Sequence, residues 1–149
     1  MSETLHLEDL TPGRRFRLGT LQVSAAGIAA FAAEFDPQPF HLDAAAARLS
    51  PFGGLAASGW HTAALTMRLL VRDLPLAGGI VGLGLDVLRW PAPVRPGDTL
   101  SAEVEVLEAR PSRSRPGSGV VKLRVTTRQQ DGKTVQEMVP NLIVPSRSA

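Results

Sequence analysis

Residues 58–72, SGWHTAALTMRLLVR, decide the fold because they predict a helix that is apolar around almost its whole circumference. Its polar side chains form a single stripe of His61, Arg68 and Arg72, which lie within about 20° of one another at 100° per residue. A helix with this pattern is buried. Pro75 follows and cannot continue it. We therefore expect a long central helix inside the protein.

Beyond residue 79 the hydrophobic pattern changes from a helical period to alternation, which is typical of strands. In the first strand, Val81, Leu83, Leu85 and Val87 share one face, and in the second Leu100, Ala102, Val104 and Val106 point inward. Short turns between the strands imply antiparallel pairing. Pro140 predicts a bulge or an edge position in the last strand. The four predicted strands span residues 80–90, 99–109, 120–128 and 134–144.

The N-terminal half adds one strand and two shorter helices. Residues 14–23 alternate as a strand, Ser24 is placed to cap a helix over 25–35, and Asp43 is placed to cap one over 44–49. We predict a single domain over residues 1–149 of the α+β class, with a curved antiparallel sheet wrapped around the long helix.

Composition excludes several classes of protein. The chain has 149 residues, of which 44% are hydrophobic, no Cys and three His, which excludes disulfides and thiolate metal sites and argues against a His-rich metal cluster. The N-terminus carries acidic residues instead of a secretory signal, and the longest uncharged run is rich in Gly, Ser and Thr. We expect a soluble, cytoplasmic protein with no membrane partner.

Charge is concentrated at the C-terminal end. Residues 110–149 carry a net charge of +6, whereas residues 1–109 carry −4. Such a segment either meets phosphates on a ligand or is a solvated strand face. Because no aromatic residue lies among the arginines of 110–128, a base-stacking nucleic-acid surface is not expected.

The segment D-P-Q-P-F-H at 36–41 carries the best candidate for chemistry. Its two prolines predict a stiff, extended loop that holds Asp36 and His41 five residues apart. Apolar neighbours raise the pKa of a carboxyl group, and a carboxylate with an imidazole can perform general acid–base catalysis. The alternative is a helix cap and a surface histidine.

Ser58 and Gly59 stand where the long helix begins. A helix N-terminus favours negative charge, and glycine lets a ligand oxygen approach the backbone. The alternative is an ordinary cap by Ser58, with Gly59 allowing tight packing.

Two stretches resemble the MaoC-like dehydratase family, which includes the (R)-specific enoyl-CoA hydratases. They are FDPQPFHLDAAAA at 35–47 and PFGGLAASGWHTAAL at 51–65. The family motif is matched by Asp36, Pro39, His41 and Ala47, and its later Ser-Gly pair by Ser58 and Gly59. The resemblance implies the hot-dog fold, a homodimer or higher homo-oligomer, and addition of water to an α,β-enoyl thioester or its removal.

In this resemblance, Asp36 and His41 are catalytic, and Ser58 and Gly59 bind the substrate and its oxyanion. No metal or redox cofactor is implied, and coenzyme A or acyl carrier protein enters as the carrier of the substrate. Three residues depart from the family pattern and are candidates for the pocket: Phe35 replaces Gly, Gln38 replaces Asn and Phe40 replaces an aliphatic residue.

Roles outside this motif follow from position. His61 is expected on a partly exposed or interface face, Asp43 as a helix cap, and Trp60 in the core or a subunit interface. Arg110, Arg113, Arg115 and Arg124 are candidates for the phosphates of coenzyme A.

Two other functions remain open at this point. A hot-dog acyl-CoA thioesterase would direct water at the thioester carbonyl, and a non-catalytic acyl-thioester-binding or assembly module would only hold the ligand. The Asp-x-x-Pro-x-His spacing favours the hydratase, and an intact Asp36 and His41 count against the module.

Overall fold

A computed structural model describes residues 3–147. In it, five antiparallel strands form one sheet in the order β1-β3-β4-β5-β2. The strands are β1 (Arg15–Gln22), β2 (Val81–Arg89), β3 (Thr99–Pro111), β4 (Ser118–Arg128) and β5 (Thr134–Pro145). The helices are α1 (Ala25–Phe35), α2 (Pro39–Leu42), α3 (Ala44–Arg48) and α4 (Gly59–Asp73), and a 3₁₀ turn spans Leu7–Asp9. The α+β arrangement predicted from the sequence is confirmed.

The caps predicted for the helices are present. Ser24 accepts a hydrogen bond from the backbone of Gly27, and Asp43 accepts one from Ala45. Each cap satisfies an amide that has no partner within its own helix.

The core lies between α4 and the concave face of the sheet. Leu69 and Leu70 of α4 pack against inward side chains such as Val104, Leu123 and Val125. The alternation predicted for β3 and β4 is confirmed, because their inward residues are buried. The outward face of α4 is different: Trp60, Met67 and Val71 are exposed in the single chain. The expectation that α4 is buried all round was wrong for one subunit, since the sheet covers only one side of the helix.

Two details of the sheet differ from expectation. Pro140 lies in β5, which pairs with β4 on one side and β2 on the other, so it is not at an edge. The register shifts instead occur in the partner strand β2, on either side of the pair Leu85–Pro140. Because proline offers no amide to the ladder, the irregularity falls beside it. These shifts also break the predicted single face of β2.

The segment after α1 was predicted as an extended loop, and that prediction was wrong in its second half. Residues 36–38 are a loop in which Gln38 is extended, but Pro39–Leu42 forms a helical turn. Proline is favoured at the first position of a helix, where its missing amide costs nothing. The turn carries His41 into the protein, where its side chain is buried.

Candidate functional site

Three segments that are separate in sequence meet at Asp36. The carboxylate ends α1, His41 comes from α2, and Ser58 caps α4. Asp36 Oδ2 lies 3.3 Å from His41 Nε2 and accepts a hydrogen bond of 2.7 Å from Ser58 Oγ. The structure therefore brings together the two predicted catalytic residues and the predicted Ser-Gly pair.

A backbone carbonyl fixes the orientation of His41. The imidazole Nδ1 lies 2.7 Å from the carbonyl oxygen of Ala56. A carbonyl can only accept, so Nδ1 carries a proton. In the neutral ring this leaves Nε2 as the lone-pair nitrogen that faces Asp36.

The Ser58 hydroxyl is the main reason that the pKa of Asp36 is held below its usual value. Burial opposes this by raising the pKa, while the amide of Gln38 and the nearby His41 lower it further. Hydrogen bonds to a carboxylate favour its charged form. The expectation that apolar walls raise this pKa was wrong, because polar donors outweigh burial and Asp36 is ionised at neutral pH.

The start of α4 adds a free donor. Ser58 accepts from the amide of Trp60 at 3.2 Å while its own hydroxyl donates to Asp36. Gly59 is the first residue of the helix, so its amide has no partner within the helix. A Cβ added at Gly59 would lie 2.6 Å from carbons of the Trp90 ring. Trp90 therefore favours glycine here, which agrees with the tight packing given as the alternative role of Gly59.

A cavity of about 290 Å³ opens beside these groups. His41 and Gly59 line it together with Thr62, Phe52 and Trp90. Ala57, Ala92, Pro93 and Val94 complete the wall. The cavity joins a mostly apolar lining to an imidazole and a helix N-terminus, which is the usual composition of a small-ligand site.

The three predicted pocket residues take different places. Gln38 donates to Asp36 Oδ1 at 2.5 Å. Phe40 packs edge-on against His41 and also contacts Phe52. Phe35 contacts Phe31 and is 66% exposed. Gln38 and Phe40 thus support the site from behind, while Phe35 faces solvent in the single chain.

The sequence left two places open for each of His61 and Trp60. The His61 ring stacks on Phe31 with centroids 4.8 Å apart and is buried, so the partly exposed position was wrong, while a position at a subunit interface stays a prediction. Burial lowers the pKa of His61, and the charge of Arg68 adds to the effect. Trp60 is 58% exposed and meets Trp90 edge to face, so it is not in the core, and the other predicted place, a subunit interface, stays a prediction.

A buried polar network anchors Trp90, and it was not predicted from the sequence. Its indole donates to Gln136 at 2.8 Å, and Gln136 donates to Thr66 at 3.1 Å. Thr66 in turn shares a hydrogen bond of 2.8 Å with Thr127. Gln136 is fully buried. In the sequence it looks like any polar residue of an alternating strand, so no signal marked it.

Across residues 3–147, no three His, Asp or Glu side chains come together in a way that could hold a metal ion. Every helix within the same range is too short or too polar to cross a lipid bilayer.

The chain is similar to known proteins over most of its length. Residues 9–129 match the family described as MaoC like domain. The crystal structure of a MaoC-like dehydratase from Rhodospirillum rubrum is 56% identical, with a TM-score of 0.93 over 96% of this chain and 98% of that one.

An (R)-hydratase from A. caviae involved in PHA biosynthesis is 32% identical, with a TM-score of 0.75 over 93% of this chain and 99% of that one. A 3-hydroxybutyryl-CoA dehydratase of Methylorubrum extorquens is 36% identical over 74% of this chain and 69% of its own. The chain therefore belongs to the MaoC-like family, which includes hydratases and dehydratases, and it has the hot-dog fold.

Proposed function

We propose that this protein is a hydro-lyase that adds water to an α,β-enoyl thioester, or removes it from the 3-hydroxyacyl thioester, with (R) stereochemistry. The observation that carries the proposal is the pair formed by Asp36 Oδ2 and His41 Nε2, 3.3 Å apart, with His41 lining a cavity that the start of α4 also lines. The similarity to an (R)-hydratase and a 3-hydroxybutyryl-CoA dehydratase supports the reaction class.

The pair is suited to bind one water. An ionised Asp36 and a neutral His41 present two acceptors to each other across 3.3 Å. Two facing acceptors repel unless a donor lies between them, and a water about 2.8 Å from both can donate one hydrogen to each. The water oxygen then points away from both groups, free to attack a bound substrate.

The proposed hydration needs only proton transfers. The water oxygen bonds to the β-carbon, its proton passes to the Asp36–His41 pair, and the electron pair of the double bond moves toward the thioester oxygen. A proton returned to the α-carbon on the same face completes the 3-hydroxyacyl product. General acid–base groups of this kind each contribute about 10²–10⁴ in rate.

The N-terminus of α4 is placed to stabilise the enolate-like oxygen. The amide of Gly59 has no partner within the helix, and the helix dipole favours negative charge at this end. One preorganised donor of this kind is typically worth about 10²–10³ in rate. The proposed steps use no metal or redox cofactor, and coenzyme A or acyl carrier protein takes part only as the carrier of the acyl group.

We also propose a homodimer that covers the exposed side of α4 and the edge strand β2. Met67 of α4 and Gly82, Gly84 and Leu85 of β2 line one apolar groove of about 280 Å³. Leu83 on the same edge is 54% exposed. An exposed apolar groove next to a strand with an unpaired edge is typical of a protein–protein interface.

The dimer has a direct test. Leu83→Glu places a charge on the β2 edge and should give monomers in sedimentation velocity at micromolar concentration. Leu49→Glu is the matched control, since Leu49 is 92% exposed at the end of α3 and its replacement should leave the dimer intact. A native protein that sediments as a monomer would contradict the proposal.

The reaction is tested with crotonyl-CoA. Loss of the enoyl-thioester absorbance and chiral analysis of the product should show (R)-3-hydroxybutyryl-CoA. Asp36→Asn and His41→Ala should each lower kcat by about 10²–10⁴. Because both groups serve one water, the double variant should be little worse than the poorer single one.

Asp43→Asn is the control for Asp36→Asn. Asp43 is another carboxylate in the same segment, it caps α3, and asparagine caps equally well, so activity should persist. Release of free coenzyme A thiol without hydration would favour the thioesterase. An Asp36→Asn variant with native turnover would show that the chemistry lies elsewhere.

A further inference from the structure

Arg95 holds a stretch of backbone in an unusual way. Its guanidinium donates to the carbonyl oxygens of Phe52, Gly54 and Leu55, at 2.8 Å for Gly54 and 3.3 Å for Leu55. No ion pair found in residues 3–147 includes Arg95, unlike the arginines on the outer face of the sheet. The guanidinium of Arg95 therefore binds backbone carbonyls of residues 52–55 instead of a carboxylate.

The backbone held by Arg95 leads directly into the candidate site. Ala56 follows Leu55, and its carbonyl accepts from His41 Nδ1 at 2.7 Å. The next residue, Ala57, donates its amide to the carbonyl of Val94 at 2.9 Å. The segment 52–57 is thus fixed at two places: Arg95 binds its carbonyls before residue 56, and the Val94 carbonyl binds the amide of Ala57. The Ala56 carbonyl lies between these two attachments.

Arg95 is itself anchored. Asp98 Oδ2 accepts from the Arg95 amide at 2.8 Å, and Asp98 Oδ1 accepts from Gln130 at 3.0 Å. Asp98 is buried, and the turn between Arg95 and Asp98 closes with a further backbone bond of 3.1 Å. The guanidinium therefore starts from a fixed position on the fold.

Two acceptors compete for the single proton of neutral His41. The Ala56 carbonyl favours the proton on Nδ1, whereas the carboxylate of Asp36, 3.3 Å from Nε2, favours it on Nε2. The charged acceptor is intrinsically the stronger of the two. Nδ1–H prevails only while the carbonyl is held at short range.

We propose that Arg95 is a positioning residue that selects the Nδ1–H tautomer of His41 by fixing the Ala56 carbonyl. With the proton on Nδ1, Nε2 keeps its lone pair for the reacting water. With the proton on Nε2, His41 instead donates to Asp36, and its ring offers the reacting water no acceptor because the remaining lone pair on Nδ1 faces the Ala56 carbonyl. The effect on turnover rests on the proposed hydratase function, but the effect on the tautomer does not.

Lysine cannot replace Arg95 in this role. A guanidinium presents five donors in a planar fork, which can reach three carbonyls at once. An ammonium is a compact point charge on a flexible stem. Arg95→Met removes the donors altogether while keeping much of the apolar stem.

The tautomer is measured by nitrogen NMR of protein labelled with ¹⁵N-histidine, without substrate, with His41 assigned by comparison with His41→Ala. At a pH where His41 is neutral, the native protein should show the Nδ1–H pattern. Arg95→Met and Arg95→Lys should shift the ring toward Nε2–H. Arg15→Met is the control, because Arg15 pairs with Glu103 at the protein surface, and it should keep the native pattern.

Turnover provides the second readout. Arg95→Met should lower kcat about 10–10²-fold, the scale expected for a misplaced catalytic group, with a smaller change in KM. Added guanidinium should restore part of kcat in Arg95→Met and none in His41→Ala. If Arg95→Met does not fold, Arg95→Lys decides by the same spectra. A folded Arg95 variant with an unchanged Nδ1–H pattern overturns the proposal, whatever its activity.

Discussion

Gly59→Ala tests the packing at the start of α4 most sharply. The added Cβ would lie 2.6 Å from Trp90 Cδ2 and Cε2, whereas carbon atoms in contact are about 3.5–4.0 Å apart. The ring must therefore retreat by about 1 Å. Its indole is tied to Gln136 at 2.8 Å, and Gln136 is tied to Thr66, so the ring cannot move without straining these bonds.

The expected cost follows from two opposing effects. Overpacking of this size costs about 1–3 kcal/mol. Alanine is the better helix former by up to about 1 kcal/mol, although less at the first position of a helix. The net expectation is a loss of about 1–2 kcal/mol, which lowers Tm by roughly 2–8 °C in a chain of this length.

Thermal unfolding followed by tryptophan fluorescence measures this loss. A Trp90→Leu background supplies the control, because it removes the ring that the added Cβ would meet. In a Trp90→Leu background Gly59→Ala should cost at least about 0.5 kcal/mol less than in the native protein, since contacting residues are coupled. If Gly59→Ala is as stable as the native protein in both backgrounds, Trp90 does not press on residue 59.

Two further changes probe the groups around the candidate site. Ser58→Ala removes the main donor that lowers the pKa of Asp36, so that pKa should rise. The acid limb of the kcat/KM profile, where activity is lost as pH falls, should then move to higher pH. Ser24→Ala, which removes the cap of α1, should leave the profile unchanged. Gln136→Met leaves the Trp90 indole without its acceptor and should cost about 1–3 kcal/mol in urea unfolding; equal stability would refute the role given to this bond.

Hydrophobic periodicity and helix-capping rules predicted much of the fold. β3 and β4 alternate strictly, because one face of each strand is buried and the other is wet, and this pattern is written directly in the residues. Ser58 was identified as a cap because the chemistry of a helix start is local. Asp36 and His41 were found together because two prolines restrict the few residues between them.

The rest depends on contacts between distant residues. Gly59 was interpreted either as a place where a ligand approaches or as a site of tight packing, but its packing partner, Trp90, lies 31 positions further along the sequence and could not be named. The pKa of Asp36 was expected to rise because its sequence neighbours are apolar. This was wrong because the donor Ser58 lies 22 residues away, and the direction of its hydroxyl cannot be predicted from sequence spacing. The outward side of α4 was expected to be buried because its residues are apolar, yet it is exposed in the single chain. A hydrophobic pattern alone does not distinguish a residue in the core from one at an interface.

One short segment, residues 56–59, controls the protonation and charge of the whole candidate site. The Ala56 carbonyl lies against His41 Nδ1, the Ser58 hydroxyl lowers the pKa of Asp36, and Gly59 offers its free amide. These groups point in suitable directions because the chain passes there from a loop, anchored by Arg95 and Val94, into the first turn of α4. In the proposed reaction the base, the carboxylate and the oxyanion donor are therefore set by one piece of backbone. A shift of this segment would disturb all three at once.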